Sequence, residues 1–238
     1  MGTASFSVAE LFMLGGAIMW PLLVFSIVVV AIFLERTVYL LYHKLDIDEM
    51  AAKTSEFISN NDYKGASAYL GGFPKKYMGA RILLALISQK KPGKVFNVRH
   101  AERAAETEAM NCINSLENGF NFLTALGSLS PLTGFLGTVT GMISAFRSIA
   151  EATEVNAQIV ANGIYEALIT TVFGLIIAIT AMIAHSLFSH RVDKFASRVE
   201  GACSGLISQM DETDEASPIS SPVKIIGQQT EDNGAPCE

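Results

Sequence analysis

The chain has 238 residues, 50% hydrophobic and 17% charged, with a formal net charge of -6 and a mean hydropathy of +0.36. Soluble domains carry about 25% charged residues, so this composition excludes an ordinary globular protein and points to one that uses the bilayer as solvent. The negative charge is local: Asp211, Glu212, Asp214, Glu215, Glu231, Asp232 and Glu238 meet only Lys224 in a Ser- and Pro-containing stretch, which reads as a solvated, disordered tail and not as a nucleic-acid contact.

Three runs are long enough to cross about 30 Å of hydrocarbon as helices: residues 17–42, 120–146 and 162–188. The prediction is an all-α membrane protein with three transmembrane helices. Residues 1–16 lack the Lys or Arg that a cleaved signal peptide needs. Orientation follows from the cations, which concentrate on the cytoplasmic side. Of the 17 Lys and Arg, only Arg147 lies in the connection 147–161, and residues 1–16 have none. Apart from Arg36, toward the inner end of the first run, the others fall between the first two runs or after the third. The N-terminus is therefore expected outside, and the insert 43–119 and the C-terminal part 189–238 inside.

Trp20, and Tyr39 with Tyr42, fit the two interfacial aromatic belts of the first span, and its Val, Ile, Leu and Phe side chains suit lipid. Glu35 and Arg36 are expected to pair at the inner headgroup level or to snorkel there. The insert reads as two helical parts, from Asp46 to Leu70 and from about Val98 onward, separated by the Gly- and Pro-containing "GGFPKKYMGA" and "QKKPGK". The run "VRHAERAAETEAMNCINSLENGFNFLTALGSLS" has strong helix formers and no proline until Pro131. One long helix is expected to pass from the cytoplasm into the second span.

The second and third spans are rich in small residues at helical spacing. Gly127, Pro131, Gly134, Thr138, Gly141 and Ala145 form one stripe, with Thr133, Gly137, Thr140 and Ser144 beside it. Gly163, Ala167, Thr170, Gly174, Ala178 and Ala181 form another on the third span. Such stripes let helix backbones approach in lipid, where hydrophobic burial cannot drive association. Within the third run sits Glu166. A charged side chain at the centre of a span costs at least about 2.5 to 3.5 kcal/mol, so it requires a water-filled cavity, a partner or a proton. A carboxyl that gains and loses a proton as its surroundings change is an ion relay. Thr170 lies one turn on and could hydrogen-bond Glu166 or a passing water, and Thr138 and Thr171 offer further hydroxyls. The competing readings are an interfacial carboxylate in ordinary water, since Glu166 lies toward the outer end of its run, and threonines that merely bond their own helix carbonyls. His185 and His190 read as interfacial and Arg147 as a headgroup anchor.

No Gly-x-Ser-x-Gly elbow, His-Glu-x-x-His pair or phosphate loop occurs, so the chain is not read as an enzyme and no cofactor is implied. Cys112, Cys203 and Cys237 have no metal-site spacing and fall on the reducing side. Energy for work would have to come from an ion gradient.

The segments "GGAIMWPLLVFSIVVVAIFLER", "AERAAETEAMNCINSLENGFNFLTALGSLSPLTGFLGTVTGMISAF" and "IVANGIYEALITTVFGLIIAITAM" resemble the MotA/TolQ/ExbB proton channel family, in particular its ExbB/TolQ branch. The specific parts are "GFLGTVTGM" and "GIYEALITTVFGL", in that order after a long insert. The resemblance implies that Glu166, Thr138 and Thr171 match the family's polar residues, with Thr170 beside them. It implies a homo-pentamer in a bacterial inner membrane, its pore helices packed through Pro131, Gly134, Gly137, Gly141 and Gly174. A single-span ExbD- or TolR-like partner would stand inside the pore, with a TonB-like protein beyond it. Proton motive force would then be converted into mechanical work on the envelope, in TonB-dependent transport. Where the family often has proline, this chain has Thr180, which leaves the third helix without its usual kink. A non-conducting scaffold for a small single-span partner is the alternative. A titratable glutamate favours protons, while clustered hydroxyls can also coordinate sodium.

Overall fold

The computed structural model describes residues 8–90, 96–151 and 157–215, and these are helical apart from short turns and one isolated bridge between Lys44 and Tyr77. In chain order the helices are α1 (Val8–Leu14), α2 (Met19–Tyr42), α3 (Asp48–Ser59), α4 (Tyr63–Gly71), α5 (Met78–Ile87), α6 (Val98–Glu117), α7 (Phe120–Glu151) and α8 (Ala157–Glu215). Three apolar stretches, in α2, in α6–α7 and in α8, have the length and composition to cross a membrane. The chain is an all-α membrane protein.

The centre of the bundle is the antiparallel pair α7 and α8, with α2 laid against both. Helix α2 starts where Pro21 falls in its first turn, a position at which the missing N–H costs nothing. It buries Met19, Leu22, Val29 and Leu40 and leaves Leu23, Val24, Ile27, Val30, Leu34, Val38 and Leu41 exposed. That outer face is the expected lipid face. Trp20 is exposed at one end, edge-on to Phe12, and Tyr42 is exposed at the other.

Among its described residues the insert contains four helices, where the sequence suggested two parts. Asn61 takes a left-handed conformation, φ 56°, which Asn tolerates better than most residues. Asp62 then caps α4 by accepting from the Gly65 N–H at 2.8 Å. The second missed element is α5, whose apolar "MGARILLALI" is almost wholly buried. It begins at Met78, inside the first of the two Gly/Pro stretches that separate the expected helical parts, and ends before the second.

Helix α6 does not run on into the span as expected. Asn118 and Gly119 interrupt it, with Gly119 at φ +89°. The side chain of Arg36 on α2 packs into this break and donates to the Ser115 carbonyl at 3.3 Å, while pairing with Glu35 at 2.9 Å. A buried cation thus satisfies a carbonyl that the end of α6 leaves open. Arg36 does not snorkel: it is only 5% exposed and lies 5.2 Å from the Tyr39 ring centroid.

Helix α8, at 59 residues, is about 88 Å long. Its second half leaves the apolar stretch and packs Val192, Phe195, Val199, Leu206 and Met210 into a core with Ile47, Ile58, Ile82, Leu86, Ala101 and Leu116. Polar contacts hold it there: Ser55 with Gln209 at 2.8 Å, Tyr63 with Thr213 at 3.1 Å and Arg198 with Asp48 at 3.5 Å. Asp211 to Glu215, assigned above to a disordered tail, continue α8. Asp214 pairs with Lys90 and accepts the Phe96 N–H at 2.5 Å. The remainder of the acidic tail, and Cys237, lie outside the described residues. Cys112 on α6 and Cys203 on α8 are buried, and burial pushes the Cys203 thiol up to about 11. A thiol so held is a poor nucleophile.

Candidate functional site

The α7–α8 interface is built from residues without side-chain bulk. Gly134 approaches Thr170, Thr171 and Gly174 so closely that a Cβ at Gly134 would lie 2.9 Å from the Thr170 carbonyl oxygen and 3.1 Å from the Thr171 Cα. A Cβ at Gly174 would lie 2.6 Å from the Ser130 carbonyl oxygen. Gly141 meets Ala167, and Gly127 meets Met182 and Ala181. Backbone-to-backbone approach of this kind is what small-residue stripes achieve in lipid.

The stripe on α7 that faces α8 is Leu123, Gly127, Ser130, Gly134, Gly137, Gly141 and Ala145, all buried. The sequence pattern had divided the glycines and Ala145 between two stripes and had left out Leu123 and Ser130. Gly137 turns inward with the first, Pro131 and Thr138 sit half-buried at its flank, and Thr140 and Ser144 are exposed. Pro131 lies inside α7 without ending it. Within a packed membrane bundle, neighbouring groups re-satisfy the backbone that a proline frees.

The hydroxyls are already engaged. Thr170 is 1% exposed, and its Oγ1 is within hydrogen-bond reach of the Ala167 carbonyl at 2.8 Å and the Gly134 carbonyl at 3.2 Å. Thr171 donates to the same Gly134 carbonyl at 3.2 Å. Thr138 donates to the Phe135 carbonyl at 2.7 Å. Thr170 therefore does not form the hydrogen bond to Glu166 that its spacing allowed; a Cβ at Gly137 would collide with it, which shows how tightly α7 encloses it. Thr171 and Thr138 remain half-buried on either side of the Gly134 contact. Thr180 donates to the Ile176 carbonyl at 2.8 Å and α8 passes through without interruption.

Glu166 is half-buried one turn before Thr170. The rise of α8 from Glu166 to Phe188 is about 33 Å, comparable with the hydrocarbon thickness of about 30 Å. Phe188 stacks on Phe120 and lies beside Phe33, level with the Arg36 end of α2. Glu166 thus stands at the far end of the span. The turn between α1 and α2 lies against its carboxylate. A Cβ built on Gly16 would collide with Glu166 Oε1 and lie 3.1 Å from Cδ, and a Cβ on Gly15 would lie 3.4 Å from Ile169 Cγ2. Sequence reading missed this turn. The "GG" before the first span was its one signal, and it names no partner.

Among the described residues, then, the fold defines a multi-pass membrane protein whose two most closely packed helices carry an ionisable group at one end and hydroxyls along their seam. The sequence profile of the MotA/TolQ/ExbB proton channel family matches residues 77–201. The chain is 27% identical over 214 residues to the biopolymer transport protein ExbB of Salmonella typhimurium, covering 87% of this chain and 86% of that protein. It is 31% identical over 179 residues to a putative ExbB-like biopolymer transport protein of Synechocystis, covering 74% and 82%. Against the Tol-Pal system protein TolQ of Haemophilus influenzae, identity rises to 46% over 81 residues, and that match covers 34% of this chain and 36% of TolQ. The chain belongs to the MotA/TolQ/ExbB proton channel family.

Proposed function

We propose that this chain is the channel-forming subunit of an inner-membrane motor of the ExbB–ExbD or TolQ–TolR kind, which turns proton motive force into mechanical work on the cell envelope in TonB-dependent transport. It assembles as a homo-pentamer around a single-span ExbD- or TolR-like partner and acts on a TonB-like protein, with its N-terminus periplasmic and its insert and C-terminus cytoplasmic. The observation that carries this reading is Glu166, an ionisable side chain at the outer end of a span whose polar groups between it and His185 at the inner end are the hydroxyls of Thr170, Thr171 and Thr180. Glu166 receives the ion at the mouth. Thr138 and Thr171 line the path below it, with Thr170 fixing the wall, and Pro131, Gly134, Gly137, Gly141 and Gly174 hold the helices at the distance the pore needs.

The test is proton uptake into proteoliposomes that hold this chain with its co-expressed partner. Glu166→Gln is isosteric and cannot exchange a proton, so it should abolish uptake at unchanged complex yield; uptake at the native rate would reject Glu166 as the relay. Repeating the assay with a sodium gradient identifies the ion. A second reading, a non-conducting scaffold for the partner, draws support from the hydroxyls of Thr138, Thr170 and Thr171, all already given to carbonyls. On that reading Glu166→Gln is silent and a bulky residue at Gly134 prevents assembly.

A further inference from the structure

The α1–α2 turn reaches the ionisable group of the third span, and its geometry favours glycine. Gly16 has φ +68°, a conformation that L side chains rarely adopt. Independently of backbone strain, a Cβ there would occupy the space held by the Glu166 carboxylate, with Oε1 in collision, Cδ at 3.1 Å and Cγ at 3.7 Å. The carboxylate thus lies directly on the Gly16 backbone. Gly15 continues the same seam one helical turn along α8, at Ile169. On the α7 side the nearest small-residue contact is between Gly141 and Ala167, the neighbour of Glu166. The helix pair therefore closes one flank of Glu166, and the α1–α2 turn closes another.

We infer that Gly16 is a positioning residue for Glu166: the bare backbone of the α1–α2 turn seats the carboxylate and fixes its direction at the mouth of the ion path. The inference rests on the proposed role of Glu166. It assigns the N-terminal turn a part in conduction that the lipid-facing first span does not otherwise have. A side chain at position 16 would push the carboxylate off its seat, and a displacement of about 1 Å at a reacting group can cost on the order of 100-fold in rate.

The experiment is a double-mutant cycle on the co-reconstituted complex, read as proton uptake at equal complex content. Gly16→Asn is the informative variant, because Asn tolerates the left-handed backbone while its Cβ still meets Glu166. Uptake should fall at least about tenfold. Glu166→Asp withdraws the carboxylate by one methylene. In the native background it should lower uptake; in the Gly16→Asn background it should raise it. That reversal of sign is the expected coupling between touching residues, and a general loosening of the fold does not produce it. Ala17→Ser, at the exposed next position of the same turn, is the neighbour control and should retain uptake.

If Gly16→Asn lowers complex yield, the same reversal is read in yield, with Glu166→Asp restoring it. Native uptake by Gly16→Asn, or a loss that Glu166→Asp does not reverse, overturns the inference. Glu166→Gln run in parallel separates the two ideas: uptake retained there removes the relay itself, whereas uptake lost there with Gly16→Asn unaffected removes only the seat.

Discussion

At the scale of single residues, the seam between α7 and α8 sets geometry against chemistry, and geometry dominates. Hydrogen bonds between membrane helices average about 0.6 kcal/mol, so the bonds of Thr170 and Thr171 to the Gly134 carbonyl contribute modestly. Adding bulk to a close-packed site costs about 1 to 3 kcal/mol, and at Gly174 the obstacle is the Ser130 carbonyl, which cannot swing aside as a side chain can. Gly174→Val should therefore destabilise the α7–α8 pair by more than Thr171→Val does. Unfolding of the purified protein in detergent measures both, and a smaller loss for Gly174→Val would show that the backbone contact is not the main support. The glycine pattern was legible in the sequence because small residues at spacings of three and four have few other uses in a membrane helix. The seat of Glu166 was not: Gly16 and Glu166 are far apart in the chain, and no periodicity links a turn to a helix face.

At the scale of elements, the sequence indicated where helices occur better than where they stop. Each apolar run falls in one of the three helical stretches that are long and apolar enough to cross a membrane, since hydrocarbon thickness sets the length required. The break between α6 and α7 was hidden among strong helix formers because its stabilising group, Arg36, comes from another helix. Gly119 tests whether the break belongs to the fold. At φ +89° an alanine meets no obstruction, its nearest neighbour being Arg36 Nε at 3.5 Å, so the penalty is backbone strain alone, about 1 to 2 kcal/mol. Gly119→Ala should lower stability by that amount in detergent unfolding. An increase would mean that a continuous α6–α7 helix is equally acceptable to the rest of the protein. The insert was half legible: its turn residues were visible, but α5 was short, apolar and framed by breakers, and only its burial against α6 and α4 identifies it as a helix.

At the scale of the whole molecule, α8 is one continuous element that joins Glu166, the proposed mouth of the ion path, to a clasp at Asp214, about 72 Å away along the helix. The clasp closes the distal end of the bundle, because Lys90 follows α5 and Phe96 precedes α6, and Asp214 binds both. Partial burial raises the Asp214 carboxyl toward its protonated form, but the Lys90 hydrogen bond, the Phe96 N–H and the Lys90 charge together outweigh this and hold it below the ordinary 3.8. A carboxyl whose pKa is depressed in the folded state contributes stability that is fully present above the unfolded value, and that contribution is lost as pH falls through the folded value. The thermal unfolding temperature of the native chain should therefore exceed that of Asp214→Asn at pH 7, and the difference should shrink as pH is lowered below about 3.8. A difference that stays constant through that window would mean that the carboxylate charge does not hold the clasp. Since Asp214 lies at the opposite end of α8 from Glu166, proton uptake by the Asp214→Asn complex at pH 7 also reports whether the ion path needs α8 anchored at its far end. Uptake at the native rate would confine the clasp to stability; reduced uptake at equal yield would make the whole length of α8 part of the machine.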